Sequence, residues 1–414
     1  VPNSLARNDV FLGSILERYE RFIENGNMEV VGRVFHSKAT KNSVVSYSRG
    51  RDDRRPQEVL HMGSYNYSGL NGHPQISQAA IQAIGEYGTT SSGVRLLNGT
   101  CDLHLEAERR LARFLRVEEV LTFSSGFSAN LAVLGTLCRP GDVVLSDMLN
   151  HQSIVDGLKL SEAKVVPYRH GSVKSIERCL QGLSTEQRKF IVTDGVFSMD
   201  GDLAPLPQIV ALARQYNAFL IVDDAHGTGH IGPNGRGTPA HFGLVEQIDV
   251  LTGSLSKGLP GVGGFVATNR RTANILRIGS NPYIFSASLP PAVLASIIAA
   301  LDVLEASPEI ISELKSKTDY FVARLRAEGF NLLNTQSSIV PLLTYDEDTA
   351  YGLAKALHEQ GIYVNPIAYP AVSKSRARIR INLSANLTYE ELDFSIAQIT
   401  QAGRALNLLQ NGQA

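Results

Sequence analysis

A chain of 414 residues, 43% hydrophobic and 19% charged, is too long for one ordinary core and too apolar to be disordered. Its 39 basic and 40 acidic residues nearly cancel, so it lacks the positive field that non-specific nucleic-acid binding requires. Cys101, Cys138 and Cys179 are odd in number and show no CxxC spacing, which argues against a disulfide framework or structural zinc and for a reduced, cytoplasmic protein.

Residues 1–58 read as an N-terminal segment, helical and then extended. Leu16, Tyr19, Phe22 and Ile23 share one helix face. The charged run Ser48–Glu58 reads as a solvated loop or hairpin tip. The first residues contain no apolar leader, so no secretory signal is expected. Residues 59–290 read as a large α/β domain. Seven β-rich runs recur: Val120–Phe123, Val143–Ser146, Lys164–Tyr168, Phe190–Thr193, Phe219–Val222, Val250–Thr252 and Gly264–Ala267. Most are separated by stretches long enough for a helix. That alternation predicts a mostly parallel, seven-stranded sheet covered on both faces. Residues 291–414 read as a smaller α+β domain, with a helix over Pro308–Glu328 and strands near Ile339–Thr344, Ile362–Val364 and Arg378–Leu383. The longest apolar stretch, around Pro290–Leu304, is too short to span a bilayer.

Several clusters lie where strands end. Thr252-Gly-Ser-Leu-Ser-Lys257-Gly places a lysine in a small-residue turn that a planar group can approach. A desolvated lysine amine suits Schiff-base chemistry, and Ser254 and Ser256 can donate to a phosphate. A lysine in such a loop is, taken alone, often merely exposed. Ile221-Val-Asp223-Asp224-Ala-His226 delivers carboxylates to the sheet edge where ligands of open α/β folds bind. There Asp223 can keep a heterocyclic nitrogen protonated, and His226 can reach a neighbouring oxygen. A satisfied Asp–His pair is the plainer alternative, and adjacent aspartates give poor zinc geometry. Thr122-Phe-Ser-Ser-Gly126-Phe127 follows a strand and opens a helix, a place for one phosphate. It lacks the P-loop and dinucleotide patterns. His151 can stack on a planar ring, and Ser198 can contact a ring hydroxyl. Alternation puts Arg378 and Arg380 on one face of a strand, where an arginine can hold a substrate carboxylate.

Taken together, these clusters resemble the α-oxoamine synthases, which are fold type I enzymes dependent on pyridoxal 5′-phosphate (PLP). The resemblance runs from about Met62 to Arg404 and includes Ser64-Tyr-Asn-Tyr, Gly93-Val-Arg-Leu-Leu-Asn-Gly-Thr, Asp223-Asp-Ala-His-Gly-Thr-Gly, Gly235-Arg-Gly and Phe285-Ser-Ala-Ser-Leu-Pro-Pro. It implies that Lys257 carries PLP as a Schiff base, Asp223 pairs with the pyridine nitrogen and His151 stacks on the ring. His226 and Ser198 would bind the ring oxygen, and Gly126, Phe127 and Ser254 the phosphate. Ser286 or Ser288 would reach the phosphate of the opposite subunit, making a homodimer with shared active sites. Arg380, or less favourably Arg378, would hold the amino-acid carboxylate. The implied reaction is decarboxylative condensation of an amino acid with an acyl thioester, on CoA or a carrier protein, giving an α-amino ketone. The motifs are most similar to the serine palmitoyltransferase branch, and an excised domain of an assembly line of the saxitoxin-synthase type is also compatible. Ser68, Asp194 and the segment Ile367–Arg376 depart from the family pattern, which leaves the amino acid and acyl chain open. Transamination and a non-catalytic partner subunit are the alternatives; an intact Lys257 argues against the second.

Overall fold

The computed structural model describes residues 27–47 and 56–409, together with 13, 20 and 22–24. Leu16, Tyr19 and residues 48–55 of the charged run lie outside the described residues, whereas Phe22 and Ile23 are helical. Strands β1 (Arg33–Phe35), β2 (Asn42–Tyr47) and β3 (Gln57–His61) pair antiparallel in sequence order, so the charged run joins two paired strands.

After helices α1 (Pro74–Tyr87) and α2 (Asp102–Leu115), all seven anticipated runs form one sheet. They are β4 (Glu119–Phe123), β5 (Val143–Asp147), β6 (Lys164–Tyr168), β7 (Lys189–Asp194), β8 (Ala218–Asp223), β9 (Val250–Ser254) and β10 (Gly264–Thr268), in the order β4-β10-β9-β8-β7-β5-β6. β5, β7, β9 and β10 are buried along their whole length, as strands covered on both faces must be. β6 is the edge. Its Pro167 is exposed there, where a missing N–H costs the sheet little.

All neighbouring pairs are parallel except those of β10, which runs antiparallel to both β4 and β9. The carboxyl ends of β4, β5, β7, β8 and β9 therefore meet at one edge. That edge receives Gly126, His151, Asp194, Asp223 and Ser254 from five separate turns. The short return from β9 to β10 forces the Lys257 loop to fold back over the same edge.

Helix Pro291–Ala306 was assigned on sequence to the C-terminal part, yet it packs on α1 and α2 and buries Leu294, Ile297, Leu301 and Leu304 in the large core. The following helix, Glu309–Ala327, is close to the expected span and belongs to a second core through Leu314, Phe321 and Leu325. There β11 (Ile339–Tyr345), β14 (Ala377–Asn382) and β13 (Asn365–Ile367) form an antiparallel sheet in that order. The strand expected near Ile362–Val364 is present but one residue shorter, and it joins another sheet. β12 (Ile362–Tyr363) pairs in parallel with β3, and Val364 turns aside so that its carbonyl accepts from His358 Nε2 at 2.9 Å. The N-terminal ribbon is thus stitched to the C-terminal unit. No helix among the described residues is long and apolar enough to cross a membrane.

Candidate active site

A cavity of about 200 Å³ opens at the carboxyl edge of the large sheet, lined by Gly126, Phe127, His151, Asp223, His226 and Lys257 among others. Lys257 is half-buried and also borders a second chamber of about 680 Å³. Fully buried Leu255 and Leu259 anchor its loop on either side. Gly229, at φ 76°, packs backbone against Gly258, and Ser68 Oγ donates to the Gly258 carbonyl at 2.7 Å. Burial lowers the pKa of Lys257, assisted by the Arg380 charge and opposed by Asp223 and Asp194. A neutral amine is therefore easier to reach than in water.

One end of the cavity suits an anion. Helix α3 (Gly126–Leu137) begins there, with Ser125 as its N-cap accepting the Ser128 N–H. Ser254 and Ser256 pair their hydroxyls at 2.8 Å beside it. A Cβ on Gly126 would sit 3.3 Å from the Gly253 carbonyl and 3.4 Å from Ser254 Cβ, so a glycine fits this turn closely against β9.

The opposite end carries the acidic pair. Asp194 and Asp223 are register partners on β7 and β8. Asp223 Oδ2 accepts from Asn130 Nδ2 at 2.5 Å and Oδ1 accepts from the Ala225 N–H at 2.9 Å, an all-acceptor role that suits a carboxylate. Burial, reinforced by the Asp223 charge, pushes the Asp194 carboxyl well above its usual range. Asn130 is itself fixed: its carbonyl accepts from Thr252 Oγ1, and its amide also reaches Ser153 Oγ at 2.8 Å. Ser153 in turn donates to His151 Nδ1 at 2.7 Å. One buried amide thus sets both the carboxylate and the ring of His151, which caps helix α4 (Gln152–Ser161).

His226 is held from behind. Tyr67 is fully buried, which drives its hydroxyl pKa upward, so it keeps its proton and donates to His226 Nδ1 at 2.8 Å. Burial, with the Lys257 and Arg380 charges, keeps the His226 imidazole neutral. Its remaining N–H on Nε2 is then free to serve the cavity. The Tyr67 ring stacks on His230 with centroids 4.1 Å apart.

The two arginines of β14 separate. Arg380 Nη2 donates to Tyr65 Oη at 2.5 Å and Nη1 to the Ser198 carbonyl at 3.3 Å, while its buried Nε has no partner among the described residues. Tyr65 lies between it and Lys257, with Lys257 Nζ 6.0 Å from the ring centre. Arg378 points along the same face but is fully buried, donating to the Met199 carbonyl at 2.8 Å and pairing with Asp200 at 2.5 Å. That engagement removes it as a carboxylate anchor. Ser198 does not line the cavity; its carbonyl serves Arg380 instead. Ser288 Oγ is occupied within its own chain by the Gly93 and Gly99 carbonyls, and Ser286 Oγ donates to Ser124 Oγ at 3.1 Å.

Sequence reasoning assigned no role to Asn130, Ser153, Tyr65 or Tyr67. Asn130 had a usable signal, a polar residue one helical turn after Gly126 on an otherwise apolar segment. Tyr67 had none, because its partner His226 lies 159 positions away.

The set fits a planar heterocycle with one phosphate and one carbonyl. A helix N-terminus flanked by serine hydroxyls, a buried carboxylate, an imidazole N–H donor and a desolvated lysine line one small cavity. No group of His, Cys, Asp and Glu suited to a metal occurs among the described residues.

A family model for aminotransferase class I and II matches residues 57–399. The chain is similar to the 8-amino-7-oxononanoate synthase of Thermoanaerobacter pseudethanolicus, at 42% identity over 354 residues covering 85% of this chain and 90% of the relative. It is similar to the serine palmitoyltransferase of Bacteroides thetaiotaomicron, at 40% identity over 353 residues with the same shares, 85% and 90%. Among solved structures, the serine palmitoyltransferase of S. paucimobilis with bound PLP–myriocin aldimine superposes with a TM-score of 0.91 and 32% identity, over 97% of this chain and 99% of that one.

Proposed function

Because the chain belongs to the aminotransferase class I and II family, and within it to the α-oxoamine synthases, we propose a division of labour among the residues of this cavity. The enzyme is a PLP-dependent acyltransferase. It joins the Cα of an amino acid to the acyl carbon of a thioester, releasing the thiol and CO2 and leaving an α-amino ketone. PLP, when bound, supplies the electron sink for charge developing at Cα.

In our reading, Ser254 and the N–H groups of Gly126 and Phe127 hold the phosphate. Asp223, fixed by Asn130, holds the ring nitrogen protonated, and His151 covers a ring face. His226 donates to the ring oxygen. Lys257 carries the cofactor and, once released, takes the Cα proton on Nζ. Arg380 turns its free Nε to the substrate carboxylate. The observation that carries this reading is Lys257, desolvated between the acidic pair and Arg380 at the junction of two cavities. The second chamber gives the thioester an approach to the same amine. Arg380→Lys tests the substrate side. Losing a charge-assisted bond is worth roughly 1.5–3 kcal/mol, so KM for the amino acid should rise about 10- to 100-fold with the cofactor retained. An unchanged KM would move the carboxylate elsewhere.

We further propose a homodimer with shared sites, in which Ser286 faces the partner's phosphate. Support comes from exposed apolar side chains: Leu97 and Phe285, on two segments joined by the Val94–Ala287 bridge, are 79% and 77% exposed, and Val262, on the Lys257 loop, is 59% exposed. Sedimentation at micromolar concentration should give a dimer; a lone monomer with full activity would contradict sharing. The three free cysteines support a cytoplasmic setting. We propose the domain division 1–58, 59–290 and 291–414, except that helix Pro291–Ala306 goes with the large domain whose core it joins.

A further inference from the structure

One charged cluster lies outside the cavity and has no part in the division of labour above. His170 follows β6 and sits between two carboxylates, with Nδ1 3.0 Å from Asp147 Oδ1 and Nε2 2.9 Å from Asp202 Oδ2. Each ring nitrogen faces an acceptor, so each must carry a hydrogen and the ring is an imidazolium. Burial opposes that charge, but the hydrogen bonds to Asp147 and Asp202 outweigh it and raise the pKa to about 10. The other oxygen of Asp202 is buried with no partner among the described residues, so this carboxylate depends on His170 for compensation. The imidazole edge also meets Phe197, with ring centroids 4.4 Å apart.

The two carboxylates belong to different functional loops. Asp147 ends β5, and its carboxylate accepts the N–H groups of Leu149 at 2.9 Å and Gly171 at 3.0 Å. Its carbonyl accepts the Asn150 N–H, which completes the turn into His151. Asp202 closes the turn after β7: the Phe197 N–H donates to its carbonyl at 3.0 Å, and the Gly201 N–H to the Phe197 carbonyl at 2.8 Å. That turn presents the Ser198 carbonyl to Arg380, and the Met199 carbonyl and Asp200 to Arg378. A single side chain therefore joins the loop that aims His151 to the loop that seats Arg380.

We infer that His170 is a positioning residue for amino-acid binding, clamping the 147–151 and 197–202 loops so that Arg380 and His151 face one substrate. This rests on the reading that Arg380 takes the substrate carboxylate. A buried anchor displaced by a fraction of an ångström loses affinity without losing the fold.

The test uses the PLP-loaded enzyme and its His170→Gln and Asp202→Asn variants. The visible spectrum is titrated with the preferred amino acid, found by screening glycine, alanine, serine and arginine, in the absence of thioester. Melting temperature is followed in parallel. Each variant should retain the cofactor and bind the amino acid about tenfold more weakly, with a smaller change in kcat. The double variant should be little worse than the weaker-binding single, because both remove the same clamp. Asp202→Asn is isosteric, so it keeps the test open if His170→Gln fails to fold. Variants that lose melting temperature but keep wild-type affinity overturn the inference and leave the Arg380 reading standing. A wild type whose spectrum responds to no amino acid overturns the reading, and this inference with it.

Discussion

Lys257→Ala should abolish amino-acid-dependent turnover. The lysine holds the cofactor and moves the Cα proton, and general acid–base roles alone are worth about 10²- to 10⁴-fold. We expect activity to fall at least about 1000-fold. The fold should survive, since Leu255, Leu259 and the Ser68–Gly258 bond hold the loop independently of the side chain. PLP should still enter the cavity through its phosphate end, but dialysis should remove it and borohydride should no longer trap it. A trapped cofactor in this variant would mean that another lysine carries it. Retained turnover would remove Lys257 from the chemistry altogether.

Asp223→Asn should produce the second largest loss, with a different pattern. The amide keeps the side-chain volume, and the cavity should still take up PLP. An amide cannot hold the ring nitrogen protonated by charge, so the sink for charge at Cα weakens. Removing an electrostatic stabiliser of this kind costs about 100- to 1000-fold in kcat. KM for the amino acid should change little, because Arg380 is untouched. The Asn130 contact adds a check. In Asp223→Asn one acceptor oxygen must serve two donors, so either the Asn130 or the Ala225 bond is lost. The double variant Asn130→Asp/Asp223→Asn should therefore recover little activity, since it restores a charge one residue too far from the cavity. A single Asp223→Asn variant with near-normal kcat would contradict the electron-sink role.

Much of this site was legible because parallel sheets gather strand ends. Gly126, His151, Asp223 and Ser254 each follow a short apolar run, and a run of that kind in an α/β pattern delivers its next residues to one edge. What was hidden depended on contacts across the chain. Alternation put Arg378 and Arg380 on one face, but only the approach of Asp200 and Met199 shows that the first is consumed in a buried pair. Asp194 and Asp223 looked like two separate strand ends until register placed them opposite each other. Tyr67 and His230, to which the sequence assigned no role, form the support behind His226. The fold shows the same boundary. Strand positions followed from composition, whereas the reversal of β10 and the pairing of β12 with β3 are tertiary choices with no local mark.

The central claim is decarboxylative condensation at Lys257. It is tested most directly by supplying the PLP-loaded enzyme with an amino acid labelled with ¹³C in its carboxyl group and following the label. The account predicts that labelled CO2 appears only when an acyl thioester is present, in equal amount to free thiol and α-amino ketone, and not with Lys257→Ala. Conversion of the amino acid to its keto acid with the label retained, independent of thioester, would contradict it and identify a transaminase.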